Sequence, residues 1–399
     1  MVGADFLSCA EPSSYKNGIY KSADSYGKGT SILRINDFDN YGNLISENLL
    51  KVDLTPEEKE SYKLGYNDIV VNRVNSLTHI GKSILWKHSN EIAVVYESNM
   101  MRIQPNESIL YPDYLIKILQ SENARNFFKK VAKQAVAQCS INQQDVKSLP
   151  IPLPPLPEQK KIAEILSTWD KAIETVEKLV ANSQQQKQAL MQQLLTGQKR
   201  LLDDNGVRFS EDWEFYKVKD IFISESLTAK EQNYPVYSVT KNGLINQADY
   251  FNKSVASEDT SKYRVVNRGR FVMSGLNFWM GSVDVHLEDF PVIVSPAYKV
   301  FSISKLTSPS FMKQFIKGSE FGKLLETSSV VGASVVRRNF SESIFNNYEL
   351  FLPNLEEQEK IAQVLTLADR EIDLYQQQLD KLKLEKNPSC NNYSQDKNG

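Results

Sequence analysis

Residues 153–195 read LPPLPEQKKIAEILSTWDKAIETVEKLVANSQQQKQALMQQLL. A degraded copy, LPNLEEQEKIAQVLTLADREIDLYQQQLDKLKLEK, returns 199 positions later, from Leu352. Over the sixteen positions from Glu158 to Ile173, eight residues recur without a gap: Glu158/Glu357, Gln159/Gln358, Lys161/Lys360, Ile162/Ile361, Ala163/Ala362, Leu166/Leu365, Asp170/Asp369 and Ile173/Ile372. Solenoid units repeat every ~20–50 residues. A period near 200 implies instead two domain-sized halves, each closed by the same element.

That element is predicted to be a helix with a seam. Ile162, Leu166, Trp169, Ile173, Val176, Val180, Leu190 and Leu194 fall on alternating steps of four and three, with Ser183 and Lys187 at the two remaining positions. The second copy places Ile361, Leu365, Ala368, Ile372, Tyr375, Leu379 and Leu382 on the same steps. Four-three alternation is the narrow seam of a coiled coil; an ordinary core helix carries a broader apolar stripe. Pro157 suits a helix start, Glu158 suits the N-terminal dipole, and Gly197 ends the run. Two such helices in one chain most simply pack on each other.

Working outward, residues 30–35, 68–72 and 92–98 (TSILRI, DIVVN, IAVVYES) concentrate β-branched residues and read as strands. The stretch from Pro112 to about Val136 then turns helical, and LPIPLPPLP from Leu149 is too proline-rich for a helix and reads as an extended connector. The second half repeats the plan: YPVYSV, GRFVMS and PVIVSPAYKVFSI are strand-like, and PSFMKQFIKGSEFGKLLE is helical. THIGK at Thr78 corresponds to WMGSV at Trp279, and SINQQDV at Ser140 to NFSESIF at Asn339. The order is domain–helix–domain–helix.

Composition narrows the function classes. The 399 residues suit two to three domains, and 41% hydrophobic content is enough for real cores. No apolar run reaches the ~18–20 residues of a membrane span, and MVGADFLSCA is a poor signal peptide, so a cytoplasmic protein is expected. Cys9, Cys139 and Cys390 lack metal-ligand spacing, and His79, His88 and His286 lack a metal or triad partner at any recognisable spacing. Glycine loops for nucleotides and an adenine-methylase motif are missing. The acidic run DVHLED (Asp284, Glu288, Asp289) reads as a solvated turn before it reads as a nuclease site. No enzyme is expected, and no metal or cofactor.

The net charge of −2 argues against an indiscriminate polyanion binder, but the distribution of charge matters more. Residues 121–148 carry Arg125, Lys129, Lys130, Lys133 and Lys147 against Glu122 and Asp145. The counterpart at 311–339 carries Lys313, Lys317, Lys323, Arg337 and Arg338 against Glu320 and Glu326. Lysine clusters are commonly solvated helix faces; recurrence at the same place in both halves sets a polyanion-facing role level with that reading.

The motif LPxLxEQxxIAxxL closing each half, ALMQQLLTG at Ala189, YPVYSVTKNGLINQADYFNK at Tyr234 and VSPAYKVF at Val294 together resemble the DNA specificity subunits of type I restriction–modification systems, over nearly all of residues 30–386. The resemblance implies an α+β fold: two mixed α/β target-recognition domains separated by two long helices that form an antiparallel coiled coil, in a pseudo-two-fold tandem repeat of about 199 residues. The domains would be 1–148, target-recognition domain 1 with an incomplete opening segment; 149–203, connector and spacer helix 1; 204–347, domain 2; 348–386, connector and a shortened spacer helix 2; and 387–399, a disordered tail. DWEFYKVKDIF at Asp212 has no counterpart before Asn17, and KNPSCNNYSQDKNG stands where ALMQQLLTGQKRLL would recur. The second helix is expected to be about a quarter shorter than the first.

By that resemblance the chain is a non-catalytic reader of double-stranded DNA. Each half reads one part of a split asymmetric site, and the helices set the gap and dock two modification (methyltransferase) subunits. Restriction (endonuclease and translocase) subunits complete the complex, and S-adenosylmethionine, ATP and Mg belong to the partners. A first helix from Glu158 to Thr196 would span about 58 Å, a ruler of about one and a half DNA turns. On the residues alone two other readings stay open, a coiled-coil scaffold that binds no DNA and a nuclease- or methylase-type subunit.

Base readout needs forked or bidentate side chains on loops, while lysines mostly hold phosphates. The candidates are Asn72, Arg73, Asn75, Lys82, Lys133, Gln134 and Gln138 in the first domain, and Asn277, Trp279, Ser282, Arg337, Arg338 and Asn339 in the second. Val335-Val336-Arg337-Arg338-Asn339, arginines beside a strand-like edge, stands first among them.

Overall fold

The computed structural model describes residues 15–88, 92–135, 138–230, 234–250, 259–331 and 338–386. Two compact units share the chain: residues 1–175 with 382–399, and residues 176–381. The division falls inside both long helices, so each unit holds one mixed domain together with a part of each helix.

In the first unit an antiparallel sheet has the order Tyr15–Asn17, Met100–Ile103, Ile69–Asn72, Ser83–Leu85. A second sheet joins Lys51–Val52, Tyr26–Leu33 and Val94–Tyr96, the last pair parallel. The helical stretch after Pro112 is two helices, Pro112–Gln120 and Glu122–Val131. The break is at Ser121, whose side chain accepts from the Ala124 N–H and caps the second helix. Ile69, Val71 and Ile103 of the sheet meet Leu115, Leu119 and Phe128 of these helices in one core, which Ala163 of the first long helix joins.

The second unit repeats the sheet as Phe222–Glu225, Lys299–Ile303, Arg270–Met273, Val283–His286. Its helices are Pro309–Phe315 and Ser319–Thr327. This core is aromatic: the Phe222 ring lies 4.5 Å from Phe271 and 6.1 Å from Phe321. The THIGK/WMGSV repeat has a backbone reason. Gly81 and Gly281 adopt φ +76° and +83° and turn the chain into the fourth strand of each sheet. At Gly81 an added Cβ would lie 2.3 Å from the Phe128 ring. SINQQDV and NFSESIF are matching caps: Asn142 accepts from the Asp145 N–H, and Ser341 from the Ile344 N–H.

The long helices are Leu156–Leu194, 39 residues, and Leu355–Lys386, 32 residues, the latter reaching the last described residue, so the expected difference in length falls outside the described residues. They run antiparallel. In the second unit Lys187 pairs with Asp369, and Leu190 and Leu194 share a core with Leu365 and Ile361. In the first, Lys386 pairs with Asp170. Every predicted seam residue is buried or half-buried, from Ile162, Leu166, Trp169 and Ile173 in the first unit to Ile372, Tyr375 and Leu379 in the second. The disordered tail expected at 387–399 and the opening segment before Tyr15 lie outside the described residues.

Candidate nucleic-acid interface

Each domain is fixed to its helix by a buried glutamine, the Q of the EQ repeat. Gln159 Nε2 donates to the carbonyls of Pro154 (2.8 Å) and Ile109 (2.9 Å), and its Oε1 accepts from the Tyr111 N–H at 2.8 Å. Gln358 repeats this: Nε2 donates to Pro353 (2.8 Å) and Leu306 (3.2 Å), and Oε1 accepts from Ser308 N–H (2.9 Å) and Thr307 Oγ1 (2.7 Å). Both side chains are fully buried with donor and acceptor satisfied, which is what makes a core glutamine tolerable. They tie the start of each long helix to the residues just before Pro112 or Pro309.

About three turns further along, the repeated aspartate does the same for the helix bodies. Asp170 accepts from Lys117 at 2.7 Å and from Lys386; Asp369 accepts from Gln314 at 2.9 Å and from Lys187. Burial pushes each carboxyl upward, but the hydrogen bonds and the lysine charges outweigh it and hold both below the usual aspartate range.

On this footing the first domain carries a small sheet in the order Val74–Asn75, Cys139–Ser140, Lys133–Gln134. Its register sets Asn75, Cys139 and Gln134 in one row and Val74, Ser140 and Lys133 in the next. Four sequence candidates, Asn75, Lys133, Gln134 and Gln138, thus come together on or beside one platform, the last three exposed. Cys139 at its centre is buried, its thiol pushed up by burial and donating to the Asn75 carbonyl. Lys129 and Lys130, exposed at the end of the adjacent helix, have no acidic partner among the described residues.

The second domain has the counterpart, a hairpin of Ser329–Val331 with Arg338–Phe340, in which Val331 faces Arg338 and Val330 faces Asn339. The Arg338 guanidinium lies 4.6 Å from the Trp279 ring centre, a stack that holds the fork in place. Asn277 and Asn339 are exposed nearby in the chain. A cleft of about 450 Å³ beside Trp279 is lined by Lys241, Asn242, Lys313 and Lys317. The sequence reading missed Lys241 and Asn242; the KNG turn of the hairpin Tyr237–Thr240 with Gly243–Asn246 was the available signal. Arg337, with Val335 and Val336, lies outside the described residues.

Three candidates are not at the surface. Asn72 is at 0% exposure, and its side-chain atoms have no partner among the described residues. Lys82 is buried, its ammonium donating to the carbonyls of Ile35 (2.6 Å) and Phe38 (2.7 Å), with burial lowering its pKa. Ser282 is buried beside the turn at Gly281. Arg73 is half-buried and donates to the Ser98 carbonyl at 3.1 Å, so it braces a loop. The charge count also shrinks: Lys313 pairs with Asp284 at 3.0 Å, Lys317 with Asp369 at 3.9 Å and Lys323 with Glu320 at 2.7 Å. Asp284, read as part of a solvated turn, is buried and also accepts from the Leu244 N–H at 2.8 Å. Among the described residues no cluster of metal-ligating side chains occurs, and no helix is long and apolar enough to cross a membrane.

A profile described as "Type I restriction modification DNA specificity domain" matches residues 15–182 and again 210–384. The chain belongs to that family, and the two matches are its tandem halves. It is 27% identical to the putative type I restriction enzyme MjaX specificity subunit of Methanocaldococcus jannaschii over 352 residues, 85% of this chain and 80% of that one. To the StySPI specificity subunit of Salmonella potsdam it is 28% identical over 180 residues, 45% of this chain and 38% of that one. The fold is shared with the type I restriction–modification S subunit from M. genitalium, at a TM-score of 0.59 and 14% identity, covering 97% of this chain and 94% of that one.

Proposed function

We propose that this chain is the sequence-reading subunit of a type I restriction–modification complex, binding double-stranded DNA through one platform in each half. The observation that carries this is the duplication of the platform. In each half a small sheet bearing exposed Asn, Gln, Lys or Arg stands on a domain locked to its long helix by the same glutamine and aspartate. Asn75, Gln134, Gln138, Arg338 and Asn339 have the donor–acceptor chemistry that base edges require, and Lys129, Lys130 and Lys133 suit phosphates. Trp279 acts through Arg338, its ring 4.6 Å from the guanidinium that would make the bidentate contact.

The antiparallel helices then act as a ruler that sets an unread gap and as the docking surface for two modification subunits, with restriction subunits joining them. Methyl transfer and cleavage, with their S-adenosylmethionine, ATP and Mg, belong to those partners, in the cytoplasm. Methylome sequencing of a host carrying this gene with its modification partner, against the partner alone, tests the reading. A split, asymmetric adenine-methylated motif present only with this chain is expected. A motif unchanged by its absence would refute it.

A further inference from the structure

In each unit a glycine turn lies against the two short helices that follow the sheet, and the units fill this space differently. In the first, the turn at Gly42 (φ +82°) is tied down. Gln120 Nε2 donates to the Tyr41 carbonyl at 2.8 Å, and the Arg125 guanidinium donates to the Asn40 carbonyl at 2.7 Å. Below it the Phe128 ring presses on Gly81, where an added Cβ would lie 2.3 Å away.

In the second unit the positions of Gln120, Arg125 and Phe128, counted from the cap residues Ser121 and Gly318, hold Lys317, Gly322 and Leu325. Among the described residues, a Cβ added to Gly281 or Gly322 would meet nothing within 4 Å. The space is the cleft of about 450 Å³ beside Trp279, which Lys241 and Asn242 of the turn also line. Lys241 is exposed and has no acidic partner among the described residues. Lys317 reaches Asp369 only at 3.9 Å, beyond hydrogen-bond distance, and Lys187 and Gln314 already donate to that carboxylate. Its charge is paired, but its side-chain donors are unused among the described residues. Burial lowers the Lys317 pKa; Asp369 opposes this, while Lys187 and Lys313 lower it further. An anion in the cleft would relieve that crowding of cations.

We propose, resting on the DNA-binding reading above, that this cleft seats one nucleotide unit of a DNA strand, its phosphate on Lys241 and Lys317 and its sugar against Trp279. Cavities of roughly 300–1,000 Å³ take whole small ligands, so a bare phosphate would leave most of this one empty. Trp279 supplies an apolar wall, and the exposed Asn242 amide supplies a donor and an acceptor beside it. The bare positions at Gly281 and Gly322 let a strand approach the backbone closely. The first unit fills the equivalent space with its own Gln120, Arg125 and Phe128. The two half-sites are therefore gripped differently.

The test writes the first unit's side chains into the second. Gly322→Arg with Lys317→Gln gains one charge and loses one, and it removes a glycine from a helix interior, so an unchanged or raised unfolding midpoint is expected. Binding is measured with the full chain and its modification partner, on cognate duplexes in which a neutral methylphosphonate replaces each phosphate in turn. The double variant should bind the unmodified duplex at least tenfold more weakly than the parent. One methylphosphonate, in one half-site, should weaken the parent to the same degree. It should add nothing to the double variant and little to Lys241→Ala, the mark of a direct pair. A double variant that binds as the parent does, or the absence of any such coupled phosphate, overturns the proposal and leaves DNA recognition standing. A parent complex without affinity for duplex DNA overturns both.

Discussion

Gln159 and Gln358 do the same work in the two halves; their neighbours Glu158 and Glu357 do not. Each glutamine is sealed beneath its domain and satisfied by backbone groups of that domain, so the pair must match for either half to sit on its helix. Glu357 lies under Arg200 and Trp213, while Glu158 faces solvent. A motif repeated in sequence is thus one part structural necessity and one part dependent on what the rest of the chain brings to it.

The largest effect should come from breaking that asymmetry on its buried side. Glu357→Ala leaves the Arg200 guanidinium and the Trp213 N–H without their acceptor, and a loss on the order of 3 kcal/mol is expected. Glu158→Ala should leave the unfolding midpoint where it was. Equal losses for the two variants in chemical denaturation would erase the distinction between the halves.

Gln159→Ala and Gln358→Ala test the symmetric part. Each strips partners from buried backbone groups at the foot of a domain, costing about 1–3 kcal/mol. The two losses should be similar, with Gln358→Ala the larger, because three bonds correspond pair by pair and only Gln358 also accepts from Thr307 Oγ1. A large loss for only one would show that the repeat had diverged in structure as well as in sequence.

Asp170 and Asp369 extend the comparison to pH. Both have folded-state pKa values below the ordinary 3.8, so their stabilisation is complete above that value. It is lost as pH falls through the lower folded-state value. Asp170→Asn and Asp369→Asn should each lower stability by about 1–3 kcal/mol at neutral pH. The gap to the parent protein should close as the pH drops below about 4. A gap that stays constant into acid would show that the carboxylate charge contributes nothing there.

The periodic features were legible in the sequence because periodicity is a one-dimensional signal. The seam from Ile162 to Leu382, the duplicated halves and the proline connector all follow from spacing and composition. Which candidate residues reach the surface was legible only in part, since exposure is decided by how a turn closes. Asn72 and Lys82 sit beside Gly81, whose left-handed turn folds them inward, and Lys82 ends on two loop carbonyls instead of in solvent. Charge counting failed for a related reason. Lys313, Lys317 and Lys323 look free along the chain and are spent on Asp284, Asp369 and Glu320 in the fold.

The smallest effect belongs to single residues of the two platforms, and its form matters more than its size. Arg338→Ala should cost about 1–3 kcal/mol on the cognate sequence and relax discrimination at one position of one half-site. Lys133→Ala should weaken binding to every sequence alike and reduce the slope of log affinity against log salt by about 0.9. Lys133 lies on an exposed strand and presents a point charge, while the Arg338 guanidinium, 4.6 Å from the Trp279 ring centre, presents a fork that can select. Binding isotherms at several salt concentrations, on cognate duplexes and on duplexes altered in each half-site, separate the two. If Arg338→Ala lowers affinity uniformly and shifts only the salt slope, the hairpin of the second unit holds phosphate, and its base readout must come from Lys241, Asn242 or Asn277 around the cleft beside Trp279.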